Sequence, residues 1–188
     1  MRLTEITQEW LASSLKSGDI VIDATLGNGF DALFLAQKIG ATGHLFGFDV
    51  QETALEQSRQ LLEKEPCQQT LFLKGHEKMG TLIPKDHHGA VQSIMFNLGW
   101  LPGSDKSIIT QADTTVAALT QSIALLAVSG KLSVMVYPGH QGGDTEAIRV
   151  IQWLEQRCGQ SPDTLSFEKV KVPNRPTAPI LLKIQKLG

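Results

Sequence analysis

Apolar positions along this chain fall into two rhythms. In Thr4–Leu15, Asp31–Ile39, Thr53–Glu63, Gln111–Ala127 and Asp144–Arg157 they recur every three or four residues, as on a helix with one apolar stripe. Ile20–Ala24, His44–Phe48, Thr70–Lys74, Val91–Phe96, Lys131–Tyr137, Leu165–Val172 and Ile180–Gln185 are short and rich in β-branched and aromatic residues, as strands are. The two kinds alternate. That predicts an α/β fold with a mostly parallel sheet covered on both faces. The last two strands are joined only by Pro173–Pro179, too short for a helix and suited to a reversal. The final strand is therefore expected to insert antiparallel. Trp10 and Trp153, on amphipathic helices, are expected to be core. With no repeat, linker or low-complexity tract, residues 1–188 read as one domain.

Ligands of such sheets lie across the carboxyl ends of the strands. The first loop there belongs to "VIDATLGNGFDALFLA", residues 21–36. Gly27 and Gly29 permit a tight turn and a close backbone approach. Asp23 ends the strand and Asp31 opens the next helix, so two carboxylates flank the turn. A pyrophosphate-binding loop wants a third glycine where Ala32 stands, and acids repel phosphate. They attract the ammonium of a methionine moiety, which favours S-adenosylmethionine over NAD. Asp49 ends the second strand, where a carboxylate accepts both ribose hydroxyls. Val50 is placed to pack on an adenine face, with Gln51 beside it. In Gly75-His76-Glu77, after the third strand, either polar side chain suits an adenine contact or a helix cap.

The fourth strand breaks at Asn97 into Leu98-Gly99-Trp100-Leu101-Pro102-Gly103. This is similar to the strand-ending motif of amino methyltransferases, in which a carboxamide oxygen and the next backbone carbonyl accept hydrogen bonds from a target N–H. Here Leu98 and Gly99 replace prolines, and Trp100 is expected to form a wall or lid. Tyr137 and His140, after the fifth strand, reach the same rim, and an imidazole near its ordinary pKa of ~6.5 suits proton removal from an ammonium. Neither Cys67 nor Cys158 is placed for the thiolate addition that pyrimidine C5 methylation needs. Without metal-ligand spacing or a disulfide framework, they fit a reducing cytoplasm.

Charge adds one asymmetry. Residues 1–168 hold 12 Lys and Arg against 19 Asp and Glu, whereas residues 169–188 hold five cations and no acid. A basic end on an acidic body suits a phosphate backbone, and equally an edge hairpin whose lysines deter aggregation. No stretch is apolar enough to cross a membrane.

Five βα units ending in a hairpin resemble a Rossmann-like class I S-adenosylmethionine-dependent methyltransferase, with a seven-stranded, mostly parallel sheet and an antiparallel last strand. Within that class the chain resembles the small single-domain methyltransferases of the tRNA wobble uridine, earlier grouped as rRNA methylases. The resemblance is carried by "GDIVIDATLGNGFDALFLA", "GFDVQ", "GHE", "FNLGWLPGSDKSIIT", "VYPGHQGGDTEA" and "NRPTAPILLKI", nearly the whole chain. It departs at Trp100, usually Tyr, at Phe30, often His, and in "NRPTAP", usually richer in Asn.

The resemblance implies transfer of a methyl from S-adenosyl-L-methionine to the exocyclic amine of 5-aminomethyl-2-thiouridine at wobble position 34. It implies that Asn28, Phe30, Asp49, Gln51, His76 and Glu77 line the cofactor site with Asp23, Gly27 and Asp31. Asn97 would face both cofactor and amine, joined around the amine by Tyr137 and His140. The implied partner is the tRNA anticodon stem-loop, met by Trp100, Lys169, Lys171 and Arg175, since unstacked bases are read by aromatic stacking and phosphates by cations. A homodimer would lengthen the short RNA footprint of so small a chain. The rival acceptors are rRNA, a small molecule or a protein; a catalytically silent cofactor-binding subunit and an NAD oxidoreductase lie further off.

Overall fold

The computed structural model describes residues 2–99, 109–139, 142–173, 175 and 177–188. Helix α1 (Leu3–Ala12) precedes β1 (Ile20–Asp23), α2 (Phe30–Ile39), β2 (His44–Asp49), α3 (Glu52–Leu62) and β3 (Gln68–Leu73). A 3-10 turn at His76–Lys78 and the short α4 (Met79–Leu82) lead to β4 (Val91–Asn97). Then come α5 (Ala112–Leu125), β5 (Leu126–Val136), α6 (Gly143–Gly159), β6 (Leu165–Lys171) and β7 (Ile180–Lys186).

Among the described residues the strands form one sheet of seven, in the order β3-β2-β1-β4-β5-β7-β6. Strands β1 to β5 pair in parallel, and β7 lies antiparallel to both β5 and β6, as the connection length predicts. The chain steps outward from β1 to β3 and returns to β4 on the other side of β1. That reversal opens a crevice above the carboxyl ends of β1 and β4.

Neighbouring strand residues serve opposite faces. Ile22, Phe46, Ile94 and Phe96 pack with Leu119 of α5 and Val150 and Leu154 of α6. Val21, Leu45 and Met95 pack on the other face with Leu11, Leu35, Ile39 and Leu62 of α1, α2 and α3. Both faces are buried, so the strands read as nearly continuous apolar runs.

Three details differ from the periodicity. Strand β5 begins at Leu126, earlier than Lys131, because buried Leu126 already pairs with Val91; Ser129, at φ 68°, and Gly130 then reset the register before Lys131 pairs with Ser93. Helix α5 therefore stops at Leu125, and Lys186 Nζ donates to its trailing carbonyls at Ile123 (3.2 Å) and Leu126 (2.8 Å). Trp10 and Trp153 are half-buried rather than core. The ring of Trp10 carries the ammonium groups of Lys131 and Lys183, each 5.1 Å from its centre. Among the described residues, no helix is long and apolar enough to cross a membrane.

One glycine couples the sheet to the first loop. A Cβ on Gly47 would sit 2.6 Å from Leu26 and 2.7 Å from Leu71, so β2 leaves room for Leu26, whose N–H donates to the Phe48 carbonyl at 3.0 Å. Gly47→Ala is expected to cost about 1–3 kcal/mol through overpacking and to lower Tm by roughly 2–12 °C. An unchanged melt would contradict this seating of the loop.

Candidate active site

The crevice is a cleft of about 630 Å³, within the ~300–1,000 Å³ of small-molecule sites. Its lining comes from the loops after β1, β2, β3 and β4, from residues 109–111 and 114, and from Thr4 and Tyr137.

Positive φ at Gly27 (51°) and Gly29 (81°) turns the first loop back over the sheet. A Cβ at Gly29 would lie 3.0 Å from the Ser58 backbone, so the turn rests directly on α3. Asp49 binds the turn from the neighbouring strand: Gly27 N–H donates to Oδ2 at 3.0 Å, and Gln51 N–H to Oδ1 at 2.9 Å. Each oxygen retains a lone pair, and Asp49 lines the cleft. Val50 and Phe30 stand exposed at its rim, 58% and 68% accessible. Large apolar side chains left in the open beside the cleft are the flanks a flat heterocycle needs.

His76 is buried against the Phe96 ring, with Nδ1 3.2 Å from the Ala24 carbonyl. Burial pushes its pKa down, so the ring is neutral, and a carbonyl partner places the proton on Nδ1. Nε2 is then an acceptor, buried and without a protein partner among the described residues. Glu77 folds back over Gly75, whose added Cβ would meet its carboxylate at 2.1 Å.

Three acids gather under the first loop. Asp23 is fully buried: its Oδ1 accepts the Thr25 N–H at 3.1 Å, and its Oδ2 has no partner among the described residues. Burial, then the nearby Asp31 charge, pushes its pKa well above the ordinary carboxylate range. Asp23 lies beneath the cleft and is not among its lining residues. Asp31 does line it. Burial raises its pKa too, opposed by hydrogen bonds from Asn97 and Gln8.

At the carboxyl end of β4, Asn97 is held at three points. Its backbone N–H donates to Thr25 Oγ1 at 2.7 Å, its Nδ2 donates to the Asp31 carboxylate, and its Oδ1 accepts from the Tyr137 hydroxyl at 3.3 Å. A carboxylate of this kind only accepts, so Asp31 selects the NH₂ end of the amide and turns the oxygen away from itself. Burial and the Asp31 charge raise the Tyr137 pKa, so the phenol keeps its proton near neutral pH.

The cleft thus gathers Gly27, Asn28, Phe30, Asp31, Asp49, Gln51, His76, Glu77, Asn97 and Tyr137. Trp100 and His140 lie outside the described residues. The basic end is divided. Lys169 pairs with Glu155 and Lys183 with Glu168, each at 2.6 Å, and Lys186 caps α5. Lys171, the last residue of β6, and Arg175, just beyond it, are exposed at the edge of the sheet that holds the cleft, where a Cβ at Gly139 would meet Thr177 at 3.1 Å. Sequence reasoning passed over Thr4, Thr25, Gln8 and Thr110. Only Thr25, next to the strand-ending acid, carried a local signal.

This donor set fits S-adenosylmethionine. The carboxylates of Asp31 and Asp49 make the loop hospitable to an ammonium and a sulfonium and hostile to phosphate. Asp49 offers paired lone pairs to vicinal hydroxyls.

The chain has known relatives. The family model described as "Putative rRNA methylase" matches residues 45–185. The chain is 36% identical to the chloroplastic tRNA (mnm(5)s(2)U34)-methyltransferase of Arabidopsis thaliana, over 96% of this chain and 68% of that one. A "putative rRNA-methylase" from Clostridium thermocellum superposes with a TM-score of 0.91 at 33% identity, over 98% of this chain and 97% of that one. A "putative methyltransferase" from Streptococcus mutans, in complex with SAH, gives 0.86 at 32% identity, over 100% and 99%.

The buried acids make a stability prediction. Burial favours the neutral form of Asp23 in the folded chain, so ionising it costs stability progressively as pH rises from the unfolded carboxylate value of ~3.9 toward its raised folded value. Asp23→Asn is expected to raise Tm at pH 8 and to leave it unchanged near pH 4. A gain equal at both pH values would contradict a raised Asp23 pKa.

Proposed function

The chain belongs to the rRNA methylase family of S-adenosylmethionine-dependent methyltransferases, and from that membership we propose that it methylates the exocyclic amine of 5-aminomethyl-2-thiouridine at tRNA wobble position 34. The observation that carries this reading is the Asn97 amide, turned by Asp31 so that its oxygen is offered as an acceptor at the cleft. The Arabidopsis relative, named for a wobble-uridine substrate, supports the choice of RNA. The relatives named for the small ribosomal subunit match far less; one aligns over 28% of this chain.

The cofactor supplies a methyl on a sulfonium, open to direct displacement by a nitrogen lone pair. The protein's task is alignment and proton control. The Asn97 oxygen and the Leu98 carbonyl accept the two N–H bonds of a neutral primary amine, which leaves its lone pair facing the methyl. Asp31 and Tyr137 keep the amide from rotating. Methylation makes the nitrogen cationic, and His140 is the group we assign to take the proton. Tyr137, whose phenol stays protonated, serves as a donor to Asn97 and not as the base. Trp100 stacks on the unpaired base, and Lys171 and Arg175 meet the backbone, with Lys169 engaged in its ion pair. The same reading takes residues 1–188 as one methyltransferase domain acting as a homodimer. It places the activity in the cytoplasm, where buried Cys67 and Cys158 remain thiols.

Asn97→Ala is expected to lower kcat roughly 10²-fold, with SAH affinity, read by calorimetry, nearly unchanged. Equal losses in both would contradict the amine-holding role. Lys171→Glu combined with Arg175→Glu is expected to weaken tRNA binding and to reduce the slope of log K against log salt by about 2. Unchanged affinity across a salt series would leave these cations as plain solvated surface.

A further inference from the structure

The acceptor geometry just proposed needs two oxygens, and only one of them, on Asn97, is anchored by the groups described so far. The other is the Leu98 carbonyl, to which no donor comes from the described residues. Its direction is set from the next residue. A trans peptide is planar, so the Leu98 C=O points opposite to the Gly99 N–H. That N–H donates to Thr110 Oγ1 at 2.8 Å, while Thr110 N–H returns a bond to the Gly99 carbonyl at 3.0 Å. Gly99 sits at φ +119°, where a side chain would be strained.

Thr110 has one hydroxyl proton, and that proton goes to Glu146 Oε2 at 2.7 Å. Its remaining lone pairs are thereby committed to the Gly99 N–H. Glu146, on the first turns of α6, is 4% exposed, and its other oxygen accepts from Thr115 Oγ1 of α5 at 2.8 Å. Nothing in the mechanism above uses this buried acid.

We propose that Glu146 is a positioning residue for methyl transfer: through the Thr110 hydroxyl it fixes the Leu98–Gly99 peptide plane and so aims the Leu98 carbonyl at the acceptor amine. The proposal rests on the amine-acceptor reading. It explains why, among the described residues, a buried acid that does not line the cleft accepts from two hydroxyls, of Thr110 just before α5 and Thr115 in its first turn. It predicts that the acid governs turnover and leaves cofactor binding alone.

The test compares Glu146→Ala, Thr110→Val, their double variant and Glu146→Gln, with turnover on tRNA and SAH titration measured side by side. Each of the first two should lower kcat by roughly tenfold or more, with SAH affinity held within about twofold. The double variant should be no worse than either single, because both break one chain of hydrogen bonds. Glu146→Gln, which still offers Thr110 an amide oxygen, should restore most of the rate. Wild-type turnover in Glu146→Ala, additive losses in the double variant, or a loss of SAH affinity in step with the rate would each overturn the proposal. SAH stoichiometry reports the folded fraction; should Glu146→Ala fail to fold, Thr110→Val and Glu146→Gln decide the matter. A further arm needs no RNA. In glycine-labelled protein, Gly99 amide hydrogen exchange should speed up by roughly tenfold or more in Thr110→Val, and an unchanged rate overturns the clasp. A wild type inactive on tRNA but with this amide response would refute the substrate and leave the clasp standing.

Discussion

A half-buried carboxylate that accepts a hydrogen bond from a carboxamide decides which end of that carboxamide a ligand meets. Asp31 does this to Asn97. An amide in water presents oxygen and nitrogen with equal ease; beside an acceptor-only group the two orientations differ by a hydrogen bond gained or a repulsion suffered. Both residues reach the spot because the sheet reverses between β1 and β4, which brings the helix start after β1 against the end of β4. Thr25 closes the arrangement by accepting the Asn97 backbone N–H. The fold thus converts a topological reversal into a directed lone pair.

The acid that fixes this direction belongs to a cluster that suits a cationic ligand. Asp23, Asp31 and Asp49 crowd around one glycine turn; burial raises the pKa of the first two, and the charges of Asp31 and Asp49 push that of Asp23 higher still. Such a cluster is unfavourable in an empty cleft and favourable beside a bound cation. A sulfonium with an ammonium on its chain meets that demand, and a dinucleotide pyrophosphate does not. Asp31 therefore takes part both in the acidic cluster and in the orientation of the Asn97 amide.

Much of this was legible in the sequence because both the strands and their terminal residues are local signals. Asp23, Asp49 and Asn97 close apolar runs, and the glycines between Asp23 and Asp31 announce a turn. The antiparallel final strand followed from the length of Pro173–Pro179. The partnerships were not legible. Thr110 and Glu146 are far apart in the chain and meet only through α5 and α6 packing, so nothing nearby marks either as part of the cleft's support. The early start of β5 escaped because an apolar helix end runs directly into an apolar strand without a polar break. Charge counting showed a basic terminus but not that Lys169, Lys183 and Lys186 are occupied by Glu155, Glu168 and two helix carbonyls.

The central claim is that the oxygen of Asn97 holds a neutral exocyclic amine for methylation. It is tested most directly by incubating the purified protein and S-adenosylmethionine with tRNA that carries 5-aminomethyl-2-thiouridine, followed by nucleoside mass spectrometry. This nucleoside is expected to gain the mass of one methyl group on its side-chain nitrogen. A wobble nucleoside left unchanged while methyl appears on a ring carbon, a ribose or another RNA would contradict it.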